Sequence, residues 1–195
     1  MNARPLFSAA LIAGGKSRRM GQDKCLLEIR GTPLWQRQLA VLAELGPAEI
    51  LISCRREQAY FETSSARIVL DSWNDAGPLG GIAGVLQAAS QEMVLMLAVD
   101  MPEISAPFLD RLFTHVTPGC GAVFKTPRGY EPLAAIYPKS LGPLASDCVN
   151  AGNLRLQDFV QSAVEAGAMS IVEISEQEAT PLQNLNTPGD LNPEE

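Results

Sequence analysis

Short apolar runs that stop abruptly on glycine or aspartate constrain this sequence more than any other feature. Residues 6–13 (LFSAALIA) end at Gly14-Gly15, residues 66–70 (ARIVL) at Asp71, and residues 92–99 (EMVLMLAV) at Asp100. Residues 49–54 (EILISC) form a further run. Their length and flanks read as strands, residues 6–13 as a buried one and residues 92–99 as the most apolar. Helical patterns lie between them. Leu34, Gln38, Val41, Leu42 and Leu45 share helical spacing over residues 33–45, and Gly46-Pro47 stops the pattern. Residues 79–89 form a second helical stretch, rich in small residues. A third begins at Ser105 or Ala106 and runs to His115, with Ser105 as a candidate N-cap and Pro107 early in it. Further on, residues 121–125, 133–137 and 169–174 read as strands, and 141–149 and 154–166 as helices. Residues 184–195 read as loop with an acidic end.

Strands alternating with helices predict βαβ units. The expected fold is α/β: three layers, with a mostly parallel sheet and helices on both faces, Rossmann-like. The 195 residues fit one domain, 1–195, large enough to need no disulfide staples. In such sheets ligands bind beyond the carboxyl ends of the strands, near a switch in strand order. Gly14 onward, the region after Cys54, Asp71 and Asp100 all follow a predicted strand. They are therefore expected along one edge.

The net charge of −7 speaks against nucleic acid and anionic membranes as partners. Cys25, Cys54, Cys120 and Cys148 form no C-x-x-C pair, and His115 is the single histidine. That pattern argues for reduced cytosolic thiols rather than a zinc centre or a disulfide frame. The N-terminal residues lack a signal-peptide pattern, and no apolar run approaches the ~20 residues that span a bilayer. A cytoplasmic location is expected.

Against that acidic background, residues 14–24 hold Lys16, Arg18, Arg19 and Lys24 against one acid, Asp23, a local charge of +3. Gly14 and Gly15 let the backbone approach a phosphate or base closely. Successive N–H groups in such a turn can make an anion nest. Arg19 can fork onto phosphate oxygens, and Lys24 adds a compact charge. The loop is neither a Walker A nor a G-x-G-x-x-G loop. On these residues alone, an ordinary solvated basic turn remains the alternative.

The full string from Ile12 to Lys24 resembles the L-x-G-G-x-S-x-R-M-G-x-D-K signature of the molybdenum cofactor guanylyltransferases, the MobA-like nucleotidyltransferases. The matching positions are Ile12 (for Leu), Gly14, Gly15, Ser17, Arg19, Met20, Gly21, Asp23 and Lys24. Asp71 followed by Gly77-Pro78-Leu79-Gly80-Gly81 resembles the family's D…GPLGG/A segment, and Val99-Asp100-Met101-Pro102 its D-M-P motif. Asn184-Leu185-Asn186-Thr187-Pro188 with Asp190-Leu191 resembles its N-x-N-T-P-x-D-L ending. The similarity spans nearly the whole chain in order.

The resemblance implies that the loop holds the triphosphate of GTP. Ile12, Ala13, Gly14 and Gly15 would contact base and phosphates, and Arg19 and Lys24 would neutralise phosphates. Asp71 would read the guanine or its ribose, and Asp100 would hold Mg²⁺. Ser53 stands where the family often has Asn near the base or ribose. Asn184, Asn186 and Arg155 would face the acceptor, with Glu131-Pro132-Leu133 lining that side. Read on their own, Asp71 is a strand-end turn acid and Asp100 a helix cap. Gly80-Gly81 can serve helix-to-sheet packing, Asn186-Thr187-Pro188 can be a turn, and Arg155 a solvated helix-start charge.

The implied reaction moves GMP from GTP to the terminal phosphate of molybdopterin or Mo-molybdopterin and releases pyrophosphate. Molybdoenzyme apoproteins or other cofactor-biosynthesis proteins would be further partners of a monomer or weak oligomer. Two rival readings share the motifs: a sister enzyme using CTP or a sugar or polyol phosphate acceptor, and a non-catalytic nucleotide-binding or cofactor-handover protein. Gly14-Gly15 rather than Ala-Gly, and the N-x-N-T-P ending, go with guanine in the resemblance.

Overall fold

The computed structural model describes residues 4–14, 23–58, 61, 66–73 and 75–185. The chain runs β1 (Phe7–Ile12), β2 (Glu28–Ile29), β3 (Thr32–Pro33), α1 (Leu34–Glu44), β4 (Glu49–Cys54), β5 (Arg67–Leu70) and α2 (Gly77–Ala88). It continues with β6 (Met93–Ala98), α3 (Ala106–Phe113), β7 (Gly121–Thr126), β8 (Gly129–Pro138), α4 (Gly142–Asn150), α5 (Leu156–Glu165) and β9 (Met169–Glu173).

Seven strands form one sheet in the order β5-β4-β1-β6-β8-β7-β9. The β1–β4, β1–β6, β4–β5 and β7–β9 pairs are parallel. Strand β8 alone among them runs antiparallel, to both β6 and β7. The alternating side chains of each inner strand fill two separate cores, which is why β1, β4 and β6 are apolar on both faces. Phe7, Ala9 and Leu11 of β1 pack with Leu34, Leu39 and Leu42 of α1 and with Leu109 and Leu112 of α3. Ala10 and Ile12 pack with α2, α4 and α5 through Leu79, Ile82, Ala145 and Phe159. The result is the expected three-layer α/β arrangement.

Two elements depart from the sequence reading. The strand expected over residues 133–137 is ten residues long and starts at Gly129. Only residues 127–128 separate it from β7, too few for the crossover that a parallel pair requires, so it returns as a hairpin. The stretch after Lys24, left without an element, holds a 3₁₀ turn, Lys24–Leu26, and the small β2–β3 hairpin. Arg30 (φ 52°) and Gly31 (φ 75°) make that hairpin's two-residue turn, the primed geometry that suits twisted strands.

The connectivity locates the site. From β1 the chain passes through α1 to β4 and β5 on one side, then crosses through α2 to β6 on the other. The order therefore switches between β1 and β6, and the crevice opens beyond their carboxyl ends. Gly14 and Asp100 flank that crevice.

Candidate active site

Lys24 comes from the 3₁₀ turn and Asp100 from the turn after β6, 76 residues apart in sequence. Lys24 Nζ donates to Asp100 Oδ2 at 3.0 Å. The same ammonium donates to the Leu185 carbonyl at 2.5 Å, and the Leu185 N–H donates to the Asp100 carbonyl at 2.8 Å. The expected phosphate lysine, the expected metal acid and the segment carrying Asn184 thus meet at one point. Both charged side chains are about four-fifths buried. A turn after an apolar strand fixes the carboxylate there. The helix-cap alternative for Asp100 does not hold: the N-cap of α3 is Ser105, which has extended geometry but makes no side-chain cap bond. Gln38 of α1, fully buried, donates to the Met101 carbonyl at 2.6 Å and braces the same turn.

A second cluster lies beyond β1, β4 and β5. Ser53 Oγ donates to Asp71 Oδ1 at 2.8 Å. Burial pushes the Asp71 carboxyl above its ordinary range, against the opposing effects of the Ser53 hydroxyl and the Arg55 guanidinium. A Cβ on Gly14 would sit 2.4 Å from Asp71 Oδ2, so glycine makes room for that carboxylate. The Ala13 and Gly14 N–H groups both donate to the Ser53 carbonyl, at 2.9 and 3.0 Å. This corrects one expectation: these two N–H groups extend the β1–β4 ladder and do not face a phosphate. Ile12 and Ala13 are buried in the two cores. Ser53 has no exposed surface, and its hydroxyl is turned to Asp71 rather than to the crevice. Gly81 is small because a Cβ there would meet Ser53 Oγ at 2.7 Å, which favours the packing role for Gly80-Gly81.

On the other side of Asp100, β8 pairs with β6 as far as Leu97 and Ala134, which leaves Glu131 past the end of β6 on the same edge. Burial raises the Glu131 carboxyl to about 7, with Arg128 and Thr126 opposing. The start of α5 reaches this edge, since Gln157 exchanges hydrogen bonds with the Tyr130 backbone at 2.8 and 3.0 Å. Arg155, just before α5, is 82% exposed and lies 3.7 Å from Asp158. That is the geometry of a solvated helix start. Asn184 precedes the Leu185 latch and is exposed. Gly15, Arg19 and Asn186 lie outside the described residues.

Sequence reasoning did not single out Gln38, Arg55, Gln58 or the Leu185 carbonyl. Only a buried polar residue on an apolar helical face, Gln38, carried a signal. Among the described residues, no group of three or more His, Cys, Asp and Glu could hold a metal, and no helix is long and apolar enough to cross a membrane.

Residues 9–167 match the family model described as the MobA-like NTP transferase domain. The chain is 38% identical over 187 residues to a protein of Opitutus terrae named probable molybdenum cofactor guanylyltransferase, covering 94% of this chain and 92% of that one. It is 34% identical to the molybdenum cofactor guanylyltransferase of Serratia proteamaculans, over 93% and 90% of the two chains. Among solved structures it resembles molybdopterin-guanine dinucleotide biosynthesis protein A from Archaeoglobus fulgidus, with a TM-score of 0.72 at 24% identity over 94% of each chain. With the lysine–aspartate pair at the switch point and a family match over most of its length, the chain belongs to the MobA-like NTP transferases.

Proposed function

We propose that this nucleotidyltransferase transfers the guanylyl group of GTP to the terminal phosphate of molybdopterin or Mo-molybdopterin, in the cytoplasm. The names of its relatives support the substrates, and the Lys24–Asp100 contact at 3.0 Å is the observation that carries the chemistry. The acceptor phosphate oxygen forms a bond to the α-phosphorus of GTP. The bond from that phosphorus to the bridging oxygen breaks, and pyrophosphate leaves with the electron pair. A phosphate acceptor is already ionised at neutral pH, so no general base is required. Rate then comes from positioning and charge stabilisation. Bringing two unit charges of like sign to 4 Å costs about 4 kcal/mol at an effective dielectric near 20.

Lys24 offsets part of that repulsion. In the protein alone its ammonium lies against Asp100; a bound triphosphate offers it a second set of oxygens. Asp100 is the residue that would hold Mg²⁺. A single fixed carboxylate fits this ion, which takes one or two protein carboxylates and completes its shell with phosphate oxygens and waters. When bound, the ion supplies charge neutralisation on the phosphates. Asp71, oriented by Ser53, reads the base or ribose, and Arg19 and Gly15 complete the phosphate side. Asn184 and Asn186 serve the acceptor, with the Leu185 latch holding the segment that ends at Asn184 and Leu185 beside Asp100.

Pyrophosphate release with Mo-molybdopterin and, in turn, GTP, CTP, UTP and ATP tests the reading. Release with GTP at least tenfold faster than with the others is expected. Preference for CTP would replace guanylyl with cytidylyl transfer, and tight GTP binding without release would point to a non-catalytic carrier.

A further inference from the structure

The loop between β1 and the 3₁₀ turn has a neck, and one side chain crosses it. Gln58 follows β4 and is 2% exposed. Its amide nitrogen lies 3.2 Å from the Ala13 carbonyl, where the loop begins. The same nitrogen lies 2.8 Å from Asp23 Oδ2 and 3.8 Å from Cys25 Sγ, where the loop ends. Its amide oxygen accepts from the Arg55 N–H at 2.9 Å. The amide orientation is thereby fixed, because a flipped amide would set its oxygen against the Ala13 carbonyl and the Asp23 carboxylate.

Asp23 passes the constraint on. Its Oδ1 accepts from the Cys25 N–H at 3.1 Å and caps the turn whose first residue is Lys24. Arg55 Nη2 stands 3.8 Å from Asp23 Oδ2. Lys16, Arg18 and Arg19 all lie in sequence between the two ends that Gln58 joins. The Gln58 amide holds Ala13 and Asp23 at a fixed spacing before a ligand arrives, and geometry set in advance lowers the entropy cost of binding.

We propose that Gln58 is a positioning residue for the donor triphosphate: it sets the width of the loop neck and, through Asp23, the place of Lys24. It touches no substrate. The assignment rests on the guanylyl-transfer reading for the identity of the ligand.

Gln58→Met keeps volume and burial but deletes the amide. Gln58→Glu keeps the acceptor for the Arg55 N–H, loses the donor, and faces Asp23 with a second carboxylate. Asp23→Ala reaches the same contact from a less deeply buried side chain, should a change at Gln58 impair folding. Calorimetry with GTP and Mg²⁺, and with guanosine, is compared with the midpoint of thermal unfolding. Gln58→Met is expected to weaken GTP about tenfold and guanosine less than twofold, and Gln58→Glu to weaken GTP more. Adding Asp23→Ala to Gln58→Met should weaken GTP no further than the worse single change, because both cut one link. Equal weakening of GTP and guanosine, or wild-type GTP binding by Gln58→Met, overturns the proposal. A wild-type chain that binds no nucleoside triphosphate overturns the donor reading itself, and the role of the neck with it.

Discussion

The two edges of the sheet treat charge in opposite ways. At the amino edge Glu49 opens β4, and every oxygen it presents is answered from within the protein. Oε1 accepts from Ser8 Oγ at 2.7 Å and from the Ser90 N–H at 2.5 Å, and Oε2 accepts from Arg67 Nη2 at 2.9 Å. Burial would raise this carboxyl, but the Ser90, Ser8 and Arg67 hydrogen bonds win and hold it at about 2. At the carboxyl edge the balance reverses. Burial wins over the hydrogen bonds at Asp71 and Glu131, both of which are raised, and Arg55 Nε is buried without an acceptor among the described residues. A charge satisfied by the fold stabilises the fold. A charge left under-satisfied in a crevice is ready for a ligand, and perturbed carboxyls cluster at such sites for that reason.

The sharpest way to break this contrast is at Asp100. Asp100→Ala is expected to lower the rate of pyrophosphate release by roughly 10²–10³-fold in saturating Mg²⁺, the scale of a lost charge-stabilising group, with the unfolding midpoint little changed. Near-normal turnover by the folded variant would remove the functional meaning of this edge. Lys24→Ala comes next. GTP binding should weaken by about a factor of a hundred and guanosine hardly at all, because a compact ammonium serves phosphates; equal loss in calorimetry would contradict the phosphate role. Glu49→Gln should do the reverse, leaving turnover intact and lowering stability at neutral pH by about 2 kcal/mol. Its folded-state value lies below the ordinary 4.5, so the stability it contributes is present above pH 4.5 and is lost as pH falls toward 2. The wild-type chain should therefore lose its advantage over Glu49→Gln across that window. A constant difference in urea midpoints from pH 6 to pH 2.5 would sink the assignment.

The two edges were not equally legible in the sequence. Asp71 and Asp100 stood out because each ends an apolar run, although only the run before Asp100 is buried on both faces, while the run before Asp71 is the sheet's edge strand. Lys24 stood out through its motif. Glu49 gave no such signal, since an acid at a strand start looks solvated until Ser8, Ser90 and Arg67 are brought to it from three other segments. Gln58 and the Leu185 carbonyl were hidden for the same reason: a side-chain amide and a main-chain oxygen acquire roles only through partners 33 to 161 residues away. The direction of β8 was available, because even residues 126–132, which separate the two strands read from the sequence, are too few to carry a crossover. What the pattern could not supply was the use of Gly14, where a glycine expected to open the backbone to phosphate instead yields its N–H to Ser53 and its side-chain space to Asp71.

The finest test of the contrast is Glu131, a carboxyl on the functional edge that the mechanism does not consume. Burial lifts it to about 7, so the folded chain holds its proton more tightly than the unfolded chain does. Its contribution to stability is complete below pH 4.5 and is lost as pH rises through about 7, the opposite limb from Glu49. Between pH 5 and pH 8 the wild-type chain should lose on the order of 1–2 kcal/mol that Glu131→Gln retains, with partial exposure keeping the figure below the full shift. Asp71 is raised in the same direction by the same cause, so its contribution to stability carries the same sign. Denaturant unfolding at the two pH values reads the difference. Equal losses in both proteins would mean that Glu131 is as well solvated as an ordinary surface acid, and the carboxyl edge would then hold its under-satisfied charge at Asp71 and Arg55.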